Sequence, residues 1–183
     1  MTPAQQLFIT KILKSDGDIA HITRHEAGHR LMWALVYPDR KTKYAVVDGL
    51  PQVRMVDEKQ NKRRKIAQMS MEEIGKLTVI KLAGFAAEML MLGLNGDGSV
   101  AEIAAFIAQD FLADEPMLDW HDDAEYGGDI SDACQLIGRT VGWQNLGNTL
   151  EKFFKAVLTD LQSFADVLDK EQQEALKTIK EQS

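Results

Sequence analysis

Five consecutive residues, His25-Glu26-Ala27-Gly28-His29, have the types and the spacing of a metal hydrolase site. Residues four apart lie on one face of a helix, so the two imidazoles can reach one ion. Zinc in a catalytic site takes three protein ligands and one water, whose pKa it lowers toward about 7. Glu26, between the two histidines, is placed to take the proton of a metal-bound water. The pentapeptide therefore predicts a zinc-dependent hydrolase.

Two carboxylates are candidates for the third ligand. Glu88 is the lone acid in the apolar stretch 82–88, so it must be solvated, paired or bound, either as the ligand itself or as the partner of a ligand histidine. Asp129 stands where a helix is predicted to begin, either as its N-cap or as the completion of two histidines and one carboxylate. His21 lies one turn before the motif, but a helix rises about 12 Å from His21 to His29. We expect His21 on the surface or beside a ligand.

Hydrophobic periodicity predicts the helices that carry these residues. A helix over 18–36 carries the motif and ends before Pro38. A second helix, over 71–92, begins with the capping box of Ser70 and contains Glu88. A third helix starts at Asp129 and runs to about residue 143. The small residues of the first two helices predict that these helices pack closely together.

Two short β-rich stretches, 43–48 and 52–57, predict a hairpin around residues 49–51. In a peptidase, an exposed strand beside the metal can align an extended substrate through main-chain hydrogen bonds. The hairpin is therefore either a substrate-binding edge or only a cover for the core.

Four further helices follow from apolar periodicity, over 3–14, 99–112, 149–168 and 169–179. Ser99 is predicted to open the second of them in a capping box, and Asp169 to cap the fourth. The last two form an amphipathic tail that either packs on the domain or pairs between subunits. The predicted fold is mainly α, with a small β-hairpin and C-terminal amphipathic helices.

Length and composition indicate one domain over residues 1–183, with a core at about 18–147 and a helical extension at about 148–183. A hydrophobic content of 45% is enough to build a buried core. No apolar run of about eighteen residues is uninterrupted by charge, so we expect no membrane span. The first residues lack the regions of a signal peptide, and Cys134 is the single cysteine, so we expect a cytoplasmic protein without disulfides.

The charge of the chain argues against nucleic acid as a partner. The formal net charge is -7, and residues 82–138 contain twelve acids without one Lys or Arg. Such a stretch favours a metal ion or a basic substrate by its field, or it is a solvated acidic face. The basic run 59–65 is interpreted as a solvated linker after the hairpin rather than as a nucleic-acid patch.

Three segments, in this order, resemble the peptidase domain of the FtsH family of ATP-dependent zinc metalloproteases. The pentapeptide His25 to His29 matches the zinc motif of that family letter for letter. Leu82-Ala-Gly-Phe-Ala-Ala-Glu88 is similar to its Gly-Arg-Ala-Ala-Glu helix. Gly128-Asp129-Ile130 is similar to the Asn-Asp-Ile helix that supplies its third ligand. The resemblance covers roughly residues 19–147.

This resemblance implies a helical zinc-metallopeptidase domain with a small β element. It implies one zinc ion per chain on His25, His29 and Asp129, with Glu26 as the base and Glu88 beside the ligands. The chain departs from the family in three ways. It has no Walker-type phosphate loop, so no ATP binding is expected. Arg24 and Arg30 flank the motif, where the family is usually aromatic or small. The insert 94–128 adds a helix and an acidic loop that could cover the cleft or supply another ligand.

The function predicted from these features is a zinc-dependent endopeptidase of FtsH-like type that acts on peptides or unfolded proteins. Its partners would be a substrate chain and either a second copy of the protein or a separate ATPase. The alternative is a catalytically weak or inactive zinc-binding protein that regulates an AAA+ protease. The acidic insert and the amphipathic tail are the features that favour the alternative.

Overall fold

A computed structural model describes residues 1–14, 17–56, 66–118, 120 and 128–182. These residues form mainly helices and a two-stranded antiparallel sheet, which confirms the predicted mainly α fold with a small hairpin. The elements are α1 (Pro3–Leu7), which continues as a π-helix (Phe8–Leu13), α2 (Ile19–Val36), β1 (Thr42–Val47), β2 (Leu50–Met55), α3 (Met71–Met91), α4 (Asp97–Phe111), α5 (Gly128–Val141), α6 (Leu146–Ser163) and α7 (Ala165–Gln182), with 3-10 turns at Ile66–Gln68 and Trp143–Asn145. No helix in these ranges is long and apolar enough to cross a membrane.

Helix α2 begins and ends where its sequence predicts. The Asp18 side chain accepts a hydrogen bond from the Ala20 amide at 2.9 Å, which satisfies one of the free amides at the start of a helix. The helix ends at Val36, and its C-cap, Tyr37, directly precedes Pro38. Helices α3 and α7 and the hairpin all pack against α2, so it is the central element of the fold.

Helix α3 lies in close contact with α2. Its first turn has the predicted capping box, in which the Ser70 hydroxyl accepts from the Glu73 amide and the Glu73 carboxylate accepts from the Ser70 amide. A methyl group at Gly28 would overlap the Ala83 carbonyl oxygen and lie 2.8 Å from Ala87 Cβ. The prediction that small residues bring these two helices together is therefore confirmed.

The hairpin turn is shorter than the sequence predicts. Asp48 and Gly49 have φ of 52° and 82°, and they form the whole connection between β1 and β2. Two residues with positive φ are the favoured turn for twisted strands, and Asp-Gly suits it. The prediction of a turn over 49–51 is wrong, since Pro51 lies in β2 opposite Val46. Its missing amide removes no bond to β1, because this pair is not a hydrogen-bonded pair.

The predicted start of α4 at Ser99 is wrong. Helix α4 begins at Asp97, with Gly96 as an N-cap in extended conformation, and Ser99 lies inside the first turn. The Asp97 carboxylate lies at the positive end of the helix dipole, which favours this start.

The tail of the chain belongs to the same core as the motif helix. Leu150, Phe154 and Leu161 of α6 are fully buried in the cluster that also contains Ala27 and Leu31 of α2. Helix α7 packs along α2. The alternative in which the tail packs on the domain therefore holds for this chain.

The predicted break between the last two helices is misplaced. The chain bends at Phe164, which is 42% exposed, and Asp169 lies within α7 rather than before it. The Asp169 carboxylate accepts from Arg24 Nη1 at 2.6 Å. Asp169 therefore ties α7 to α2 instead of capping a helix.

Candidate metal centre

Three predicted ligands lie together where α2 meets α5. The distances are 2.9 Å between the Nε2 atoms of His25 and His29, 3.0 Å from His29 Nε2 to Asp129 Oδ2, and 3.8 Å from His25 Nε2 to Asp129 Oδ2. Ligand atoms of a tetrahedral zinc ion lie roughly 3.3 Å apart, given bonds of about 2.0–2.1 Å. The three separations bracket that value. Within the part of the chain that the structure describes, these three residues are the group of His, Cys, Asp and Glu that could hold an ion.

The hydrogen-bond partner of His29 determines where its proton lies. His29 Nδ1 lies 2.7 Å from the Ile80 carbonyl oxygen, which can only accept. Nδ1 therefore carries a proton, and Nε2 is the nitrogen that faces Asp129. A backbone carbonyl is a typical partner for the second nitrogen of a metal-bound histidine.

Glu88 fixes His25 in the same way. Its Oε1 lies 2.7 Å from His25 Nδ1 and its Oε2 lies 2.8 Å from His21 Nδ1, while the side chain is only 2% exposed. Both oxygens accept from histidines, so Glu88 is placed to hold His25 rather than to join the three atoms. His21 is buried on Glu88, so the alternative that put it on the surface is wrong.

When both rings are neutral, the three converging atoms are all acceptors, so the cluster requires a cation. Without a metal, a proton fills this role. Burial disfavours the charged form of His25, but its hydrogen bonds to Asp129 and Glu88 outweigh burial and raise its pKa to about 10. Burial also opposes ionisation of Asp129, but His29, His25 and Lys81 hold its pKa well below the usual range. Two neutral imidazoles and an ionised carboxylate are ligands that suit zinc.

Glu26 lies between the ligands and the outer edge of β2. Its Oε2 accepts from the Val53 amide at 2.7 Å. Val53 faces Tyr44 in a pair that leaves this amide pointing away from β1. The hairpin thus orients the carboxylate that the sequence predicts to be the base.

A cleft with a volume of about 300 Å³ opens beside the ligands. Its wall contains polar groups from the site and apolar groups from α2, β2 and α3. The lining residues are Glu26, His29, Trp33, Gln52, Val53, Leu77, Ile80, Lys81 and Asp129. A peptide chain lying along β2 could place one carbonyl at the ligands.

Lys81 is a site residue that the sequence analysis did not identify. Its Nζ donates to Asp129 Oδ1 at 2.7 Å and to Asp132 Oδ2 at 2.8 Å. A signal was present, because Lys81 and Glu88 are the two charged residues in the apolar stretch 78–94 and their seven-residue spacing puts them on one helix face.

The two arginines that flank the motif point away from the cleft. Arg24 donates to Asp169 and to the Ala87 carbonyl, and Arg30 donates to Glu171 at 2.8 Å. Neither arginine lines the cleft. Both contact α7, so neither arginine contributes a side chain to the wall of the cleft.

The acidic insert is described only in part. Helix α4 packs mainly on α6, away from the ligands. In its last turn, the buried Asp110 carboxylate accepts from the amides of Met117 and Leu118 and from Trp120 Nε1. The following residues 121–127 lie outside the described residues, as does the basic run 59–65. The prediction that the loop covers the cleft or adds a ligand therefore stays a prediction.

Comparisons of the chain with protein-family models, with curated proteins and with solved structures found no significant match. The resemblance to the FtsH peptidase domain therefore depends on the three sequence segments. The geometry of His25, His29, Asp129 and Glu88 is compatible with it.

Proposed function

We propose that the protein is a zinc-dependent endopeptidase of FtsH-like type, with zinc bound by His25, His29 and Asp129. The observation that carries the proposal is the convergence of Nε2 of His25, Nε2 of His29 and Oδ2 of Asp129, which are all acceptors when both rings are neutral. Each histidine is held through Nδ1, which leaves Nε2 for the ion. Glu26, the residue that such a reaction needs, lines the same cleft.

The reaction divides between the ion and the chain. Bound zinc would polarise the scissile carbonyl and make water acidic enough to lose a proton near neutral pH. Glu26 takes that proton as the water attacks, and it later gives the proton to the leaving amine. The Val53 amide holds one oxygen of Glu26, so the other oxygen serves for the transfer. Glu88 keeps His25 in the tautomer that binds metal.

The proposed substrates are peptides or unfolded segments. The cleft is bounded by β2 and has room for a few side chains, with Trp33, Val53 and Leu77 as its apolar wall. An extended chain can enter along the strand, whereas a folded protein cannot present its backbone there.

Metal content is the first test, measured by elemental analysis on protein purified without a metal-binding tag. We expect about one zinc per chain in the wild type and in Glu26→Gln, and none in His29→Ala, because Glu26 is not a ligand. A peptide library then tests catalysis, and we expect cleavage by the wild type and none by Glu26→Gln. Wild-type protein that holds no zinc after zinc is added back would refute the metal centre.

A second function is favoured by the contact between Glu26 and Val53. This contact occupies the Val53 amide at the outer edge of β2. A substrate strand that bonds to this amide has to displace the Glu26 carboxylate. In this alternative, the protein binds zinc, turns over little and regulates an AAA+ protease. Full zinc content without any cleavage that depends on Glu26 would support it.

A further inference from the structure

We propose that Lys81 is a positioning residue that makes Asp129 a ligand through one oxygen only. The inference rests on the proposed metal centre. Lys81 Nζ donates to Asp129 Oδ1 at 2.7 Å, while the other oxygen, Oδ2, lies 3.0 Å from His29 Nε2. A carboxylate can bind a metal through one oxygen or two. With Oδ1 engaged by an ammonium, Oδ2 alone faces the ion.

Helix α3 holds each of the three ligands at a separate point. The Ile80 carbonyl accepts from His29, Lys81 donates to Asp129, and Glu88 accepts from His25. These contacts engage Nδ1 of each histidine and Oδ1 of Asp129, so they leave the three converging atoms free. Partners of this kind orient ligands and are important for metal affinity. Lys81 therefore has the same role for Asp129 as Glu88 has for His25.

Asp132 fixes the position of the Lys81 ammonium. Its Oδ2 lies 2.8 Å from Lys81 Nζ, and it is three residues from Asp129 on α5, so both carboxylates lie on one helix face. The Lys81 ammonium therefore donates to the Asp129 and Asp132 carboxylates at the same time. A lysine that pairs with a single exposed carboxylate is not held in one orientation, because solvent screening and side-chain entropy weaken such a pair.

An ordinary surface ion pair would stabilise the contact between α3 and α5 without affecting the metal. The two roles differ in what happens when the charge is removed. If Lys81 only joins the helices, its loss changes thermal stability and leaves the coordination unchanged. If Lys81 positions Asp129, its loss frees Oδ1 to bind the ion beside Oδ2. The coordination number of the ion then rises from four, with water as the fourth ligand, to five.

The experiment compares full-length wild type with Lys81→Met, Lys81→Arg and Lys76→Met. Zinc affinity is measured by competition with a chelating dye, and coordination by the visible spectrum of the cobalt(II) form. We expect Lys81→Met to bind zinc about 10–100-fold more weakly. Its cobalt band should also be weaker, since five-coordinate cobalt absorbs less than four-coordinate cobalt. Lys81→Arg keeps a donor for Oδ1 and should restore most of both properties.

Lys76→Met is the matched control, because Lys76 is on the same helix and pairs with Glu72 at 2.6 Å, outside the cleft. It should bind zinc like the wild type. If Lys81→Met does not fold, Asp132→Asn removes the second anchor of Lys81 at a side chain that is 60% exposed, and it should weaken zinc binding in the same direction.

Two results would overturn the inference, and they are distinguishable. In the first result, Lys81→Met, or Asp132→Asn in its place, binds zinc as tightly as the wild type and has the same cobalt spectrum. This result would show that Lys81 does not position Asp129. The metal centre would then still stand. Wild-type protein that binds neither zinc nor cobalt would overturn the metal centre itself.

Discussion

Glu88 is the residue on which the orientation of His25 depends. It is buried, and its two oxygens accept from the Nδ1 atoms of His25 and His21. A carboxylate can accept both bonds at once, whereas an amide has one oxygen and one NH₂ group. The charge of Glu88 therefore matters as well as its size.

Glu88→Gln should weaken zinc binding about 10–100-fold, because its NH₂ group would meet one of the two ring N–H groups. The measurement is competition with a chelating dye. Glu72→Gln, an exposed change on the same helix, is the control and should leave zinc affinity unaltered. An affinity for Glu88→Gln equal to that of the wild type would argue against this role.

His25 also predicts how zinc binding depends on pH. Its pKa of about 10 in the metal-free protein means that the ring is charged at pH 7. Zinc binds the neutral ring, so binding must displace the proton, and affinity should rise with pH up to about 10. Calorimetry in buffers of different ionisation enthalpy should show more than one proton released per zinc at pH 7, one from His25 and a further fraction from the metal-bound water. Zinc binding that releases no proton at pH 7 would contradict the assignment.

At the scale of elements, the contact between α2 and α3 sets the distance from the proposed ligands to the residues that hold them. Gly28 faces Ala83 and Ala87 without room for a methyl group. Gly84 likewise has no room, because a Cβ there would overlap the His25 ring. The two glycines let a backbone approach close enough for Ile80 and Glu88 to reach the histidines.

Gly28→Ala should destabilise the protein by about 1–3 kcal/mol, because the new methyl group meets a backbone carbonyl that cannot move alone. Urea unfolding gives the free energy. Gly75→Ala, on α3, is the matched control, since a Cβ there has nothing within 4 Å. In the helix interior it should be neutral or stabilising by up to about 1 kcal/mol. Equal stability of the two variants would show that the helices can separate at little cost.

At the scale of the whole molecule, α7 ties the motif helix to the hairpin. Glu171 Oε2 accepts from Arg30 of α2 at 2.8 Å and from the Tyr44 hydroxyl of β1 at 3.2 Å. The Arg30 guanidinium also lies over the Tyr44 ring, 4.6 Å from its centre. The pKa of Tyr44 is raised above its usual range, mainly by burial and to a smaller extent by the charge of Glu171. The end of the chain thus helps to place Val53 beside Glu26.

Glu171→Ala should lower the free energy of unfolding by about 1–3 kcal/mol, because Arg30 loses its carboxylate partner in a partly buried position. Glu181→Ala is the control on the same helix. Glu181 pairs with Lys177 at 3.7 Å where both side chains are 63% exposed, so the change should be within about 0.5 kcal/mol. Urea unfolding of both variants tests this, and similar losses would contradict a specific role for Glu171.

The sequence by itself determined the features that depend on neighbours along the chain. Helix α2 and its histidine pair, the capping box of α3 and the small residues between the two helices follow from spacing and local hydrogen bonds. The hairpin was also predictable, although its turn was predicted to begin one residue too late and to be one residue too long. Ser99 and Asp169 were wrongly predicted to be N-caps. Each side chain is of a type that caps helices, but only the path of the chain decides where a helix begins.

Tertiary structure decided the partners of the site residues. Lys81 meets Asp129 across 48 positions of the chain, and His21 meets Glu88 across 67. Local periodicity carries no information on such contacts, because they depend on how whole helices pack. The same holds for α7, where Asp169 meets Arg24 across 145 positions and Glu171 meets Arg30 across 141. Spacing within one helix placed two of the three proposed ligands, and the packing of three helices decided what holds them.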